Sequence, residues 1–180
     1  MKKFLFVVLA VMMLTFSAAF AQETETVNQI YWSDIEETVA ESGISGDFVA
    51  VSDLGIKMWV PDVFVEVELD EKDIEDGYIC LLGTEDEKSG VLVFYQDAEG
   101  LDLEGVMSGM SEVEGVTELE MGAINDIPAL TYSDTENDSM SVVFMSDAGN
   151  AIVFSFFPMS DEGFAQIASA MAASIQVIEE

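Results

Sequence analysis

Two stretches of the sequence, Gly90-Val-Leu-Val-Phe-Tyr95 and Ile152-Val-Phe-Ser-Phe-Phe157, have apolar residues that follow one another instead of alternating with polar ones. Successive side chains of a β-strand point to opposite faces of its sheet. A strand that is apolar on both sides must therefore be covered on both faces. We expect these two strands to be central in a sheet, with helices above and below it.

Further strands flank these two stretches. Tyr78–Leu82 precedes the first and is separated from it by a polar loop, and Ser141–Met145 precedes the second across Asp147-Ala-Gly-Asn150. Each pair is typical of a β-hairpin. Other segments with the period or composition of strands are Asp47–Val51, Ile56–Val60, Val116–Met121 and Ala129–Tyr132. Hairpins dominate this order, so the sheet should be mostly antiparallel.

Three segments have the apolar spacing and end signals of helices. The first would begin with Ser33 as its N-cap and end at Gly43, the second would have about ten residues near 103–111, and the third would be capped by Ser160 and end near Ile175. Three helices on a mostly antiparallel sheet predict an α+β fold, a three-layer α/β/α sandwich with helices on both faces. No linker interrupts the pattern, so residues 22–180 are expected to form a single globular domain.

The first 21 residues have the three parts of a secretory signal peptide. Lys2 and Lys3 form a positive start, residues 4–16 are apolar except for Thr15, and Ala19 and Ala21 are small residues at the cleavage site. An apolar run of this length is too short to cross a bilayer, and no later run reaches the required length. We expect cleavage after Ala21 and no membrane insertion of the mature chain. The protein should be secreted to the extracellular space, with the periplasm as the alternative.

The composition excludes several classes of function. The chain has 36 acidic residues, 5 lysines or arginines and no histidine, giving a net charge of −31. All five basic residues are lysines. Without histidine there is no Ser-His-Asp triad and no H-E-x-x-H zinc site. The charge opposes nucleic-acid binding, which needs Lys and Arg to release counterions. The single cysteine, Cys80, lies in an apolar run and is expected to be a buried, unreactive thiol.

The elements follow one another in a characteristic order, namely Ile56–Pro61, the hairpin at 78–95, the helix at 103–111, the turn Ala123-Ile-Asn-Asp-Ile-Pro-Ala129, the hairpin at 140–157 and the closing helix ending Ala173-Ser-Ile-Gln176. This succession resembles the PsbP-like α/β/α sandwich, especially small exported bacterial domains of that kind. The resemblance covers residues 46–176, with residues 22–45 as an added helical segment. It implies a fold, and it implies a non-catalytic accessory or partner-binding role, since that is what relatives mainly do. No family site maps onto this sequence residue by residue.

Two acidic clusters are candidates for a calcium site that would bind the ion weakly, and the sequence indicates no other cofactor. Hard cations such as Ca²⁺ take six to eight oxygen ligands, which clustered carboxylates can supply. Neither cluster has the glycine and glutamate positions of an EF-hand loop. A solvated acidic loop and a hairpin turn are the alternative interpretations. The candidate ligands are Asp70, Glu71, Asp73 and Asp76 in the first cluster, and Asp134, Glu136 and Asp138 in the second.

Three aromatic residues are candidates for contact with a partner. Trp32, Trp59 and Phe64 lie beside polar or acidic segments, and aromatic residues dominate interface hot spots. Core packing is the alternative for each of them. The sequence thus predicts an exported, highly acidic, non-catalytic module with a protein, peptide or cell-envelope partner, plausibly cationic. A calcium-binding protein is the alternative, and a carboxylate-pair hydrolase a more distant one. The oligomeric state stays open.

Overall fold

The computed structural model describes residues 28–51 and 54–178. Residues 1–21, the predicted signal peptide, lie outside the described residues. The elements in chain order are β1 (Asn28–Ile30), a 3-10 turn (Trp32–Asp34), α1 (Glu36–Ser42), β2 (Gly46–Ala50), β3 (Ile56–Pro61), β4 (Phe64–Glu66), α2 (Glu71–Glu75), β5 (Tyr78–Thr84), β6 (Gly90–Asp97), α3 (Leu103–Met110), β7 (Val116–Ile124), β8 (Ile127–Asp134), β9 (Ser139–Met145), β10 (Asn150–Phe157), α4 (Glu162–Ala173) and β11 (Gln176–Val177).

Eight strands form the larger sheet, in the order β1-β7-β8-β9-β10-β6-β5-β4. The two apolar stretches are neighbours in it, since β10 pairs with β6 and Phe154 lies opposite Val93. Both predicted hairpins are present, β5 with β6 and β9 with β10. All of these pairs are antiparallel, and β1 joins the edge of β7 in parallel.

Both faces of the central strands are covered, as their continuous apolarity predicts. Ile152, Phe154 and Phe156 of β10 belong to the larger of two hydrophobic cores. Ala151 and Val153, at the alternate positions of the strand, belong to a second core. Successive side chains of one strand thus enter two different cores, on opposite faces of the sheet.

The predicted three-layer α/β/α sandwich is wrong, because the fold is mostly β with short helices. Strands β11, β3 and β2 form a second, three-stranded sheet. Side chains of β3 such as Met58 enter the larger core, together with Phe164 and Met171 of α4. The second core is covered by the eight-residue helix α3 through Leu103. Apolarity on both faces shows that a strand is covered, but it does not show whether a helix or another sheet covers it.

The helix starts differ from those predicted. Ser33 lies in the 3-10 turn, and α1 begins at Glu36 after Ile35, with no side-chain cap. Helix α4 is capped by Asp161, whose side chain accepts hydrogen bonds from the backbone N–H groups of Gly163 and Phe164. Aspartate caps a helix as well as serine does, so the adjacent Ser160 is displaced from that role.

Three short elements have no strong sequence signal. Strands β1 and β4 have three residues each, and α2 has five. β1 and β4 form by pairing with longer strands. α2 lies within residues 62–77, for which the sequence predicts an irregular or briefly helical segment. No helix of the part of the chain that the structure describes is long and apolar enough to cross a membrane.

Candidate functional site

The two tryptophans of the sequence contact each other. Trp32, in the 3-10 turn, stacks on Trp59 of β3 with ring centroids 5.9 Å apart and an interplanar angle of 30°. Phe48 of β2 meets the Trp32 ring edge-on at 5.6 Å. The partner-binding candidates Trp32 and Trp59 therefore belong to one aromatic cluster.

Asn125 fixes the position of Trp32. Its Oδ1 accepts a hydrogen bond from the Trp32 backbone N–H at 2.8 Å. Its Nδ2 donates to the carbonyl oxygens of Ala173 at 2.9 Å and Ile175 at 2.8 Å. One side chain in the β7–β8 turn thus ties the tryptophan turn to the end of α4. Asn125 adopts the left-handed conformation, with φ of 46°, which asparagine tolerates better than most residues.

Trp59 is fixed by a backbone hydrogen bond and by close packing. Its backbone N–H donates to the Ser174 hydroxyl at 2.8 Å, and that hydroxyl donates in turn to the Met171 carbonyl oxygen. The Trp59 side chain is 6% exposed. Gly46 of β2 lies against it, since a Cβ at that position would come within 2.8 Å of Trp59 Cε2 and 2.5 Å of the Val60 carbonyl oxygen. Only glycine lets β2 approach the tryptophan this closely.

An open cleft of about 430 Å³ lies beside the tryptophan pair, and we name it the Trp32–Trp59 cleft. Three carboxylates share its wall with the aromatic rings, namely Glu36 of α1, Asp47 of β2 and Asp62 after β3. All three acidic residues are exposed. The cleft therefore combines aromatic side chains with negative charge, and both attract a cation.

The lysines of the described residues make two kinds of contact, with an aromatic ring or with a carboxylate. Lys57 of β3 lies over the Phe48 ring, with Nζ 5.3 Å from its centroid. Lys72 and Lys88 instead form exposed ion pairs with nearby aspartates, Lys72 with Asp76 at 3.6 Å and Lys88 with Asp86 at 2.8 Å. The aromatic cluster thus already holds one ammonium group at its rim. None of these lysines lines the cleft.

The first acidic candidate cluster caps a helix. Asp70 Oδ1 accepts from the Asp73 backbone N–H at 2.8 Å, and Asp73 Oδ2 accepts from the Asp70 N–H at 3.1 Å. This reciprocal capping box begins α2. Glu71 lies in its first turn, and Asp76 ends it beside Lys72. Within residues 28–51 and 54–178, no three or more Asp, Glu, Cys or His side chains gather closely enough to hold a metal ion.

The second acidic cluster shapes the β8–β9 turn. Asp134 accepts hydrogen bonds from the Asn137 side chain and from the backbone N–H groups of Asn137 and Glu136, and these bonds lower its pKa. Asp138 instead accepts from Ser160, across the gap to α4. Glu136 is exposed. The carboxylates of Asp134 and Asp138 therefore bind different partners.

The remaining candidates lie away from the cleft. Phe64 is buried against Phe164, with ring centroids 6.3 Å apart. Burial, with a smaller contribution from the charge of Glu66, raises the pKa of the half-buried Cys80 thiol to about 11. Burial and the neighbouring Glu118 raise the pKa of Glu120 on β7. Neither Cys80 nor Glu120 lines the Trp32–Trp59 cleft.

A second, smaller groove of about 290 Å³ separates the β6–α3 loop from α3. Leu101, Val106 and Met110 line it, with Asp97 and Glu99 also on its wall. No aromatic side chain contributes to it. It offers negative charge without a π face, so the Trp32–Trp59 cleft is the better candidate for recognition of a cation.

Comparison with known proteins gives a likeness of fold. The sequence matches no family model and no curated protein sequence. The structure is similar to the solution structure of cyanobacterial PsbP (CyanoP) from Synechocystis sp. PCC 6803, with a TM-score of 0.54 and 12% sequence identity. The likeness covers 74% of this chain and 93% of that chain. At this identity the likeness shows the fold alone: the chain has a PsbP-like fold, as its sequence predicts.

Proposed function

We propose that this chain is an exported, non-catalytic binding module that takes a cationic side chain of a protein or peptide partner in the Trp32–Trp59 cleft. The observation that carries the proposal is the stacked tryptophan pair beside Glu36, Asp47 and Asp62 in one open cleft. A cation over an aromatic face gains about 0.5–1 kcal/mol at an exposed site and about 2 kcal/mol when desolvated. The carboxylates add attraction for the same charge.

The charge of the whole chain supports the same class of partner. A net charge of −31 attracts basic proteins and speeds their encounter with the cleft. Aromatic side chains then provide contact area at the centre of a charged surface, as in interface hot spots. A basic segment of a cell-envelope or secreted protein fits this description.

A binding role is favoured over catalysis by the arrangement of the carboxylates. A catalytic acid is tuned by burial and sits in the cavity that holds the substrate. Glu120, whose pKa burial raises, lies on β7 and does not line the cleft. The PsbP-like fold supports an accessory role by analogy alone, since function resides in sites rather than in folds.

The test uses the intrinsic fluorescence of the protein. Both tryptophans of the sequence, Trp32 and Trp59, line the cleft, so any ligand there changes the only tryptophan signal. We expect pentalysine to produce a saturable change at low salt, and pentaglutamate to produce none. An absence of any change with pentalysine at 20 mM salt would remove the proposal.

Matched variants separate the cleft from the bulk charge. Glu36→Gln with Asp47→Asn removes two charges from the cleft wall, and Glu85→Gln with Glu112→Gln removes two from exposed loops elsewhere. We expect the cleft variant to weaken pentalysine binding about five- to tenfold, at about 0.5–0.7 kcal/mol per charge. The loop variant should weaken it less than twofold. Equal losses in the two variants would assign binding to overall charge.

Export is a separate part of the proposal. N-terminal sequencing of the protein recovered from the medium or periplasm should begin at Gln22, directly after the predicted cleavage site. A mature chain that keeps Lys2 and Lys3 would contradict export by a cleaved signal peptide.

A further inference from the structure

The free edge of β4 is a second surface with a recognisable chemistry. β4 is the last strand of the eight-stranded sheet, and no described strand pairs with its outer side. Val65 lies opposite Gly83 of β5, and the Val67 backbone N–H donates to the Leu81 carbonyl oxygen at 2.8 Å. Residues of an antiparallel strand alternate between bonding one neighbour and facing the other side. The backbone N–H and C=O groups of Phe64 and Glu66 therefore point outward.

The side chains along this edge alternate between apolar and acidic. Val63, Val65 and Val67 are 60%, 46% and 38% exposed. Glu66 and Glu68, between and after them, are exposed as well. Val65 and Val67 share the sheet face of Leu81 and Leu92, which are half-buried, so the apolar surface continues inward from the edge. Phe64 anchors the strand to the core from the opposite face.

Natural sheets protect an exposed edge with proline, lysine, a bulge or a covering segment. Residues 63–68 contain no proline and no lysine, and the β4–β5 register is continuous from Phe64 to Glu66. Glu66 and Glu68 place negative charge along this edge. They repel a second copy of the chain, since strand addition would place Glu66 and Glu68 near their own counterparts on a molecule of charge −31.

We propose that the β4 edge binds an extended segment of a partner protein by strand addition, and that this segment alternates apolar and basic residues. An added strand would satisfy the outward groups of Phe64 and Glu66 with backbone hydrogen bonds. Its apolar side chains would lie opposite Val65 and Val67, and its lysines or arginines opposite Glu66 and Glu68. The edge shares no residue with the wall of the Trp32–Trp59 cleft, so the two proposals stand or fall separately.

The experiment uses capped synthetic peptides on the full mature chain. The probe alternates valine and lysine over six residues. One control carries N-methyl groups on alternate residues and cannot donate ladder bonds, and the other has glutamate in place of lysine. We expect the valine–lysine peptide to slow amide hydrogen exchange of Phe64 and Glu66 at least tenfold, because these N–H groups become bonded. Neither control should slow it.

A charge swap gives a second, independent readout. Glu66→Lys with Glu68→Lys should reverse the preference, so that the valine–glutamate peptide binds at least tenfold more tightly than the valine–lysine peptide. Glu112→Lys with Glu114→Lys makes the same change of net charge in an exposed segment after α3 and should keep the original preference.

Three results would overturn the inference. They are equal binding of the N-methylated peptide, unchanged exchange at Phe64 and Glu66 in the bound state, and a reversed preference in the Glu112 and Glu114 variant. A peptide that changes tryptophan fluorescence without protecting the edge amides would bind in the cleft, which supports the proposed function and contradicts strand addition.

Discussion

Asn125 ties Trp32, in the wall of the cleft, to the end of α4 by hydrogen bonds. Its side chain makes hydrogen bonds to Trp32, Ala173 and Ile175. We expect Asn125→Ala to reduce the free energy of unfolding by about 2–4 kcal/mol, because three hydrogen bonds of about 1 kcal/mol each are lost and alanine resists a positive φ. Urea unfolding followed by circular dichroism measures this change.

Asn125→Gly separates the two causes. Glycine adopts the observed φ of 46° without strain but makes none of the side-chain bonds. Its stability should therefore fall between those of the wild type and Asn125→Ala. If both variants unfold at the urea concentration of the wild type, the hydrogen bonds of Asn125 contribute nothing to the fold.

Glu120 should make the stability of the protein depend on pH. Its Oε2 atom is buried and has no hydrogen-bond partner among the described residues. Burial first, and the charge of Glu118 second, raise its pKa above the ordinary value of 4.5. A raised carboxyl pKa makes the ionised form destabilising, so the penalty is present above the folded pKa and disappears below the unfolded one.

Glu120→Gln should therefore stabilise the protein at pH 7, by up to about 0.5 kcal/mol because water still screens this partly exposed group. The gain should vanish as the pH falls below the ordinary value of 4.5. Thermal unfolding at a series of pH values measures it, with the exposed Glu112→Gln as the control. A gain that grows toward acid pH would contradict the assignment.

For single residues, the sequence predicts which ones form turns or are candidates for binding better than it predicts their contacts. Composition and position predict the turn at Asn125-Asp126, and they make Trp32 and Trp59 candidates for contact with a partner. The hydrogen bonds that join them do not, because Asn125 reaches Trp32 across 93 positions and Ile175 across 50. A local pattern carries no information about such partners.

At the scale of elements, Ser174 couples α4 to β3. It is 0% exposed, and its hydroxyl accepts the hydrogen bond of the Trp59 backbone N–H. We expect Ser174→Ala to lower the free energy of unfolding by about 1–3 kcal/mol, because a buried N–H is left without a partner. The exposed Ser111, whose hydroxyl bonds to the Ser108 carbonyl oxygen, provides the control, and Ser111→Ala should change stability by less than about 0.5 kcal/mol.

The element pattern explains which parts of the fold the sequence could predict. Continuous apolarity identifies β6 and β10 as doubly covered strands, and turn residues identify their hairpins. The second sheet has no such signal, since β11 is two residues long and pairs with β3 across more than a hundred positions. The alternation of Ile56, Met58 and Val60 is equally compatible with either sheet. The assignment of β3 to a separate layer is a tertiary property.

At the scale of the molecule, the acidic residues have more roles than solubility. Asp70, Asp102 and Asp161 cap three helices, Asp134 holds the β8–β9 turn, and Asp138 joins that turn to Ser160 before α4. The two ion pairs of the described residues are both local and exposed. Most carboxylates therefore remain without a cationic partner in the described part of the chain, so self-repulsion should lower stability at low salt. Screening by added salt should relieve it.

Adding calcium at constant ionic strength tests whether the acidic residues also form a cation site. The two candidate clusters are engaged in capping and turn bonds, so we expect only association in the millimolar range, as in weak extracellular modules. Binding to the folded state adds RT ln(1 + [L]/Kd) to stability, which is about 0.4 kcal/mol at 1 mM Ca²⁺ for a Kd of about 1 mM and about 2.7 kcal/mol for a Kd of about 10 µM. The free energy of unfolding, measured by thermal unfolding, should therefore be higher in 1 mM CaCl₂ than in 3 mM NaCl by no more than the smaller value. The two solutions have the same ionic strength. The larger value would identify a specific calcium site, and the loss of that excess in either Asp73→Asn or Asp138→Asn would show which cluster forms it.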